Sequence, residues 1–215
     1  MLVRDLKPRV VSGVLLAALA LALCYLGPLS FALLVAIVAL IMCWEWGRVV
    51  RGQEFDPAFI VHGGTVAAAS LLAALGLGAL GVVLVAIGAI QVLLLQFSEQ
   101  GRLSALGVPY VGIPAISLLW IRSDEPFGFA AVLFILLVVC TTDTFAYFGG
   151  RVIGGARLWP RISPNKTWAG LVSGIAAGAL AGALFAFFVE GASHAGLSML
   201  AMLLALVSQA GDLTE

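Results

Sequence analysis

The chain has 215 residues, of which 62% are hydrophobic and only 10% charged, against roughly half and a quarter in soluble globular chains. An ordinary water-soluble domain is therefore excluded. Eleven Lys and Arg balance eleven Asp and Glu, so no basic excess points to a nucleic-acid partner, and any electrostatic function must come from where the charges sit.

A bilayer core about 30 Å thick takes roughly 20 apolar helical residues. Cutting the chain wherever charges or Gly/Pro clusters interrupt such runs predicts an all-α, polytopic integral membrane protein of about eight spans. Residues 10–27 and 29–44 form a hairpin turning at Pro28 and ending in Glu45, Arg48 and Arg51. The first run passes straight into the second without a small-residue cleavage pattern, so it reads as a retained span, not a signal peptide. Residues 59–97 are too long for one crossing and fold back at Gly76 and Gly78, giving spans three and four. Span five, residues 103–121, carries Gly107, Pro109, Gly112 and Pro114, the composition of a kinked or partly re-entrant segment. Span six covers 127–148 and contains Asp143, span seven covers 167–189 and span eight 192–211. The chain divides into residues 1–122, with about five spans, and 123–215, a catalytic-type region with a polar loop at 149–167. Cys24, Cys43 and Cys140 lack the paired spacing of a metal site and read as small hydrophobes.

An even number of spans puts both termini on one face. That face collects Arg4, Lys7, Arg9, Arg48, Arg51, Arg102, Arg151, Arg157, Arg161 and Lys166, and the other has Arg122 alone. The positive-inside rule makes the basic face cytoplasmic, at the inner membrane. In span seven, Gly170, Gly174, Gly178 and Gly182 leave a groove for close helix packing, by the same chain or by a second copy in a homodimer.

The loop reads GGRVIGGARLWPRISPNKTW, and no acidic residue lies between Asp143 and Glu190. A positive-inside anchor accounts for its basic residues alone. Gly149, Gly150, Gly154 and Gly155 additionally permit close backbone approach, Ser163, Asn165 and Thr167 set short polar side chains around Lys166, and Pro160 and Pro164 stiffen the segment. Thr167 sits near a helix N-terminus, where free N–H groups favour an anion. Asp143 lies about 9 Å of helix before the first glycine pair, a depth at which a carboxylate needs a cation or an ion pair with a loop arginine. Asp212 and Glu215, three apart, share a helix face on the same side. Carboxylates converging with cations at one surface describe a site for a metal-bound polyphosphate, Mg²⁺ being the ion that prefers such oxygens.

At these residues the chain resembles the CDP-diglyceride synthetases, also called phosphatidate cytidylyltransferases. The likeness rests on TDTFAYFGGRVIGGARLWPRISPNKTWAGLVSG (142–174), SQAGDLTE (208–215) and the hairpin end CWEWGR (43–48). It implies Mg²⁺-dependent transfer of a cytidylyl group from CTP to phosphatidic acid, giving CDP-diacylglycerol and pyrophosphate. On that resemblance Asp143, Lys166 and Asp212 would be catalytic. Tyr147, Arg151, Arg161, Ser163, Asn165, Lys166 and Thr167 would bind substrate, and Asp212, Asp143 and Glu215 would hold the metal. Phe145 stands where the family usually has glycine. The family also continues past the GDLTE segment through a Lys-Arg pair, a Pro-Gly-His-Gly-Gly turn and an Asp-Arg-x-Asp end, so the resemblance implies a chain that stops before its site is complete and is inactive as it stands. Two other readings use the same features: a CTP-dependent polyprenol or phytol kinase, and a membrane transporter or packing subunit.

Overall fold

The structure is a computed structural model and describes residues 6–95 and 99–214. In chain order these form α1 (Leu6–Leu26), α2 (Pro28–Arg51), α3 (Pro57–Ala74), α4 (Gly78–Leu95), α5 (Glu99–Ser123), α6 (Gly128–Val152), β1 (Arg157–Trp159), β2 (Ser163–Thr167), α7 (Trp168–Phe185) and α8 (His194–Thr214). All eight expected spans are helices. Seven are long and apolar enough to cross a membrane, while the apolar stretch of α1, Gly13–Leu26, is shorter. The chain is an all-α polytopic membrane protein with one addition, a two-stranded antiparallel hairpin inside the polar loop.

Glycine and proline set the boundaries. Pro28 and Pro57 open α2 and α3 at positions whose N–H has no helical partner. Gly52 closes α2 at φ 67° and donates its N–H to the Arg48 carbonyl, a left-handed cap that favours glycine. Span five is a continuous helix, α5, through Pro109 and Pro114 and not a re-entrant segment. Val108, Val111, Ala115, Ile116 and Leu119 are buried around the two prolines, so packing holds the helix through the missing hydrogen bonds.

The chain forms two compact units, Met1–Phe129 and Ala130–Glu215. In the first, the apolar stretches of α3 and α5 are 50% buried against 28% for α2 and α4, so α3 and α5 are its inner helices. Its polar anchor is a buried ion pair between the end of α2 and the start of α3. Arg51 Nε and Nη2 donate to Asp56 Oδ2 and Oδ1 at 2.7 and 2.8 Å, and Nη1 reaches Ser104 Oγ on α5 at 3.2 Å. Asp56 Oδ1 also accepts the Phe59 N–H at 2.8 Å as the N-cap of α3. Burial opposes the charge on Asp56, but the Arg51 and Phe59 hydrogen bonds and the guanidinium charge hold its carboxyl below the usual carboxylate range.

In the second unit α7 is the element the others close upon. A methyl on Gly170 would fall 2.7 Å from the Ala146 carbonyl, and one on Gly174 2.8 Å from the Thr142 carbonyl, both on α6. Gly178 faces Thr142 of α6 and Ala205 of α8, and Gly182 faces Leu197 and Ala201 of α8. The groove is filled from inside the chain, and a second copy would have to dock elsewhere. Below it, Phe134, Val138, Phe185 and Ala201 form the apolar core.

These contacts make two expectations. Gly174→Ala and Gly182→Ala, each meeting a fixed backbone carbonyl, should destabilise the protein by about 1–3 kcal/mol, whereas Gly64→Ala on α3, with open space around it, should be neutral or stabilising through helix propensity; thermal unfolding in detergent compares them. The Arg51–Asp56 pair lowers the folded-state pKa of Asp56, so its contribution is complete above the ordinary carboxylate value near 3.9 and is lost as pH falls through the folded value. Asp56→Asn should remove that acid-limb dependence and, by leaving Arg51 buried and unpaired, cost about 3–5 kcal/mol. Melting curves of both proteins across pH 3–7 check the sign.

Candidate active site

Asp143, Ala146, Tyr147, Gly150 and Arg151 of α6 line a cavity of about 560 Å³. Their spacing is one stripe of a 3.6-residue helix. Thr142, at the edge of that stripe beside Ala146, packs with it against the α7 glycines, so seating α6 on α7 turns Asp143 toward the cavity. Gly170 and Leu171 from the first turn of α7, and Gln209 and Asp212 from the last turns of α8, complete the helical walls. The volume is within the range of small-molecule sites.

The fourth wall is the hairpin. Gly149 and Gly150 belong to the end of α6, where Gly149 packs against Ser173 and Gly150 against Thr167 and Gly170. Gly154 and Gly155 lie in the turn beyond, at φ 67° and 96°, a conformation that favours glycine. The chain then pairs Arg157 with Thr167 and Trp159 with Ser163, and the Trp168 N–H donates to the Ala156 carbonyl at 3.1 Å. Pro160 and Pro164 bar a helix here, which is why the loop folds as a hairpin. Its inner residues Leu158, Ser163, Asn165, Lys166 and Thr167 line the cavity.

Two polar contacts fix the charged groups. Lys166 Nζ meets Asp212 Oδ2 at 2.7 Å, with the lysine side chain 24% and the aspartate 46% exposed. Gln209 Nε2 donates to Asp143 Oδ1 at 3.2 Å. At the rim, Arg151 Nη1 donates to Tyr147 Oη at 2.8 Å. Thr167 is the N-cap of α7, its hydroxyl accepting the Gly170 N–H at 3.1 Å, and with the Trp168 N–H taken by Ala156 it is the helix dipole that favours an anion at this end.

Eight of the expected site residues are thus brought together: Asp143, Tyr147, Arg151, Ser163, Asn165, Lys166, Thr167 and Asp212. Arg161 is not. It lies exposed in the turn between β1 and β2, outside the cavity lining. Glu215 lies outside the described residues. Phe145 is exposed and absent from the cavity wall, so its bulk does not narrow the site. Gln209 escaped the sequence reading although it sits three residues before Asp212 and hence on the same helix face. Among the described residues no three His, Cys, Asp or Glu side chains cluster as a metal centre; the oxygens open to a cation in the cavity are those of Asp143 and Asp212.

The phosphatidate cytidylyltransferase of Brucella abortus biovar 1 (strain 9-941) is 36% identical over 212 residues, covering 98% of this chain and 78% of that protein. The phosphatidate cytidylyltransferase of Staphylococcus haemolyticus (strain JCSC1435) is 39% identical over 111 residues, 51% of this chain and 42% of its own. That of Rickettsia bellii (strain RML369-C) is 36% identical over 115 residues, 50% of this chain and 49% of its own. Residues 7–215 match the Cytidylyltransferase family, and with the site residues gathered in one cavity the chain belongs to that family of nucleotidyltransferases.

Proposed function

We propose that this protein transfers the cytidylyl group of CTP to phosphatidate, forming CDP-diacylglycerol and pyrophosphate. The observation that carries the reading is the meeting of Lys166, Asp143, Asp212 and the α7 N-terminus in one cavity at the ends of three apolar helices, in a chain whose relatives bear the phosphatidate cytidylyltransferase name.

A phosphate oxygen of phosphatidate attacks the α-phosphorus of CTP. The bond from that phosphorus to the bridging oxygen breaks, and pyrophosphate leaves with the electron pair. The lipid supplies the nucleophile, so the protein's task is positioning and charge neutralisation. In the resting site Lys166 and Asp212 neutralise one another. Arrival of a triphosphate offers Lys166 a stronger anionic partner and frees the Asp212 oxygen. Arg151 sits at the rim to meet a second phosphate, while Ser163 and Asn165 donate to phosphate oxygens and the α7 dipole favours their charge. Gln209 fixes the direction of the Asp143 carboxylate.

Mg²⁺ commonly takes one or two carboxylates and fills its shell with water and substrate phosphates, and Asp143 with Asp212 is such a donor set. When bound it supplies neutralisation of the phosphate charge. The ten-to-one partition of Lys and Arg across the spans supports a cytoplasmic active face and cytoplasmic termini in the inner membrane. On this reading residues 1–122 are the scaffold and 123–215 the region of chemistry.

Expressed from its whole coding sequence and assayed with CTP, phosphatidate and Mg²⁺, the protein should yield a cytidylyl lipid and pyrophosphate. Release of CDP with a phosphorylated lipid would assign it to lipid kinases instead. Asp212→Asn and Lys166→Gln should each lower turnover by at least about a hundredfold without loss of folded protein by size-exclusion chromatography. Full activity in both would remove the pair from the site.

A further inference from the structure

The cavity takes Leu158, Ser163, Asn165, Lys166 and Thr167 of the β1–β2 hairpin and leaves its other side chains unassigned. Arg157 and Trp159 flank Leu158 where the strand register shifts, and unlike Leu158 neither lines the cavity. Both are exposed, Trp159 at 53%. In the turn that follows, Arg161 is exposed and Ile162 is 54% exposed. The chain reaches these side chains from Val152 and Ile153, which are likewise open.

The position of the hairpin gives these side chains a meaning. Helix α6 ends at Val152 and α7 begins at Trp168, and both are long and apolar enough to cross a bilayer. The hairpin is therefore tethered at both ends to the membrane surface. Facing water, an exposed Trp159, Ile162, Ile153 and Val152 would leave apolar area without cover. At the headgroup boundary Trp is at home, and arginine can lay its stem along apolar surface with its guanidinium in the polar layer. No acidic residue lies between Asp143 and Glu190, so nothing in the local sequence offsets Arg157 and Arg161.

We propose that the exposed side chains of the hairpin outside the cavity, Arg157, Trp159, Arg161 and Ile162, form a docking surface for anionic phospholipid of the membrane that holds the chain. Trp159 and Ile162 seat at the boundary between headgroups and acyl chains, and the two guanidinium groups take lipid phosphates. The surface is separate from the cavity residues Lys166 and Arg151 and does not depend on cytidylyl transfer. It explains why Arg161, a basic residue of the loop, stands outside the cavity lining: its ligand is the bilayer. It also holds the cavity wall, through Leu158 and Ser163, at the depth of lipid phosphates.

The test uses the whole protein in nanodiscs. Nitroxides are placed at Trp159→Cys or Ile162→Cys with Cys140→Ala, since Cys24 and Cys43 are buried. Oxygen should relax them more than an aqueous nickel chelate does. Spin-labelled phosphatidylglycerol, chosen because it is not the proposed substrate, should be enriched around the protein by at least about twofold over the phosphatidylcholine analogue. That enrichment should vanish in Arg157→Gln/Arg161→Gln and persist in Arg157→Lys/Arg161→Lys. Nitroxides relaxed mainly by the aqueous chelate, selectivity unchanged in the Gln pair, or selectivity lost equally in the Lys pair would each overturn the proposal. Failure to make a cytidylyl lipid would bear on the catalytic reading alone.

Discussion

Everything in the second unit depends on how closely two helices can approach α7. Water is absent from the bilayer core, so the hydrophobic effect does little to press helices together there, and contact must come from van der Waals fit and polar bonds. Four glycines at intervals of four give α7 a bare ridge on which α6 rests by its Ala146 and Thr142 carbonyls and α8 by Leu197 and Ala201. That fit fixes the rotation of both partners. With Thr142 turned to the ridge, Asp143 is turned to the cavity; with Ala201 and Ala205 turned to it, Gln209 and Asp212 emerge one and two turns later on the cavity side.

The span pattern was legible in the sequence because the bilayer imposes it. A helix of set length, interrupted by charges and by glycine or proline, leaves a mark that does not depend on tertiary contacts, and residues such as Pro28, Pro57 and Gly52 sit at the ends expected for them. The site residues on α6 and the hairpin were legible for a related reason: a carboxylate or a run of cations is conspicuous in an apolar text. Gln209 is neutral and was masked by its neighbours. The hairpin register depends on which side chains face inward, and the fate of Pro109 and Pro114 on whether flanking helices pack tightly enough; neither is written in local sequence. Arg161 shows the same boundary, since its residue type matched the site while its place in the turn leaves it exposed and outside the cavity lining.

The first unit holds its polar groups differently. Its anchor, Arg51 with Asp56, is internal and fully committed: both carboxylate oxygens and the three guanidinium nitrogens have partners. Nothing is left over to receive a ligand. The second unit instead pairs its charges through single, partly exposed contacts, and such contacts can be exchanged for a substrate. The contrast separates a charge pair committed to the fold from one that could exchange partners by the number of hydrogen bonds each would lose.

The Lys166–Asp212 contact has a consequence for the end of the reaction cycle. A cavity that gathers cations for a triphosphate would also hold pyrophosphate, and a tightly retained leaving group would stall the enzyme. Here Lys166 has an internal competitor only 2.7 Å away, Asp212, tethered to α8 and never depleted. On the proposed reading each departure of pyrophosphate would be met by the return of Asp212 to Lys166, so the protein would carry its own displacing anion and clear the site without waiting for one from solution.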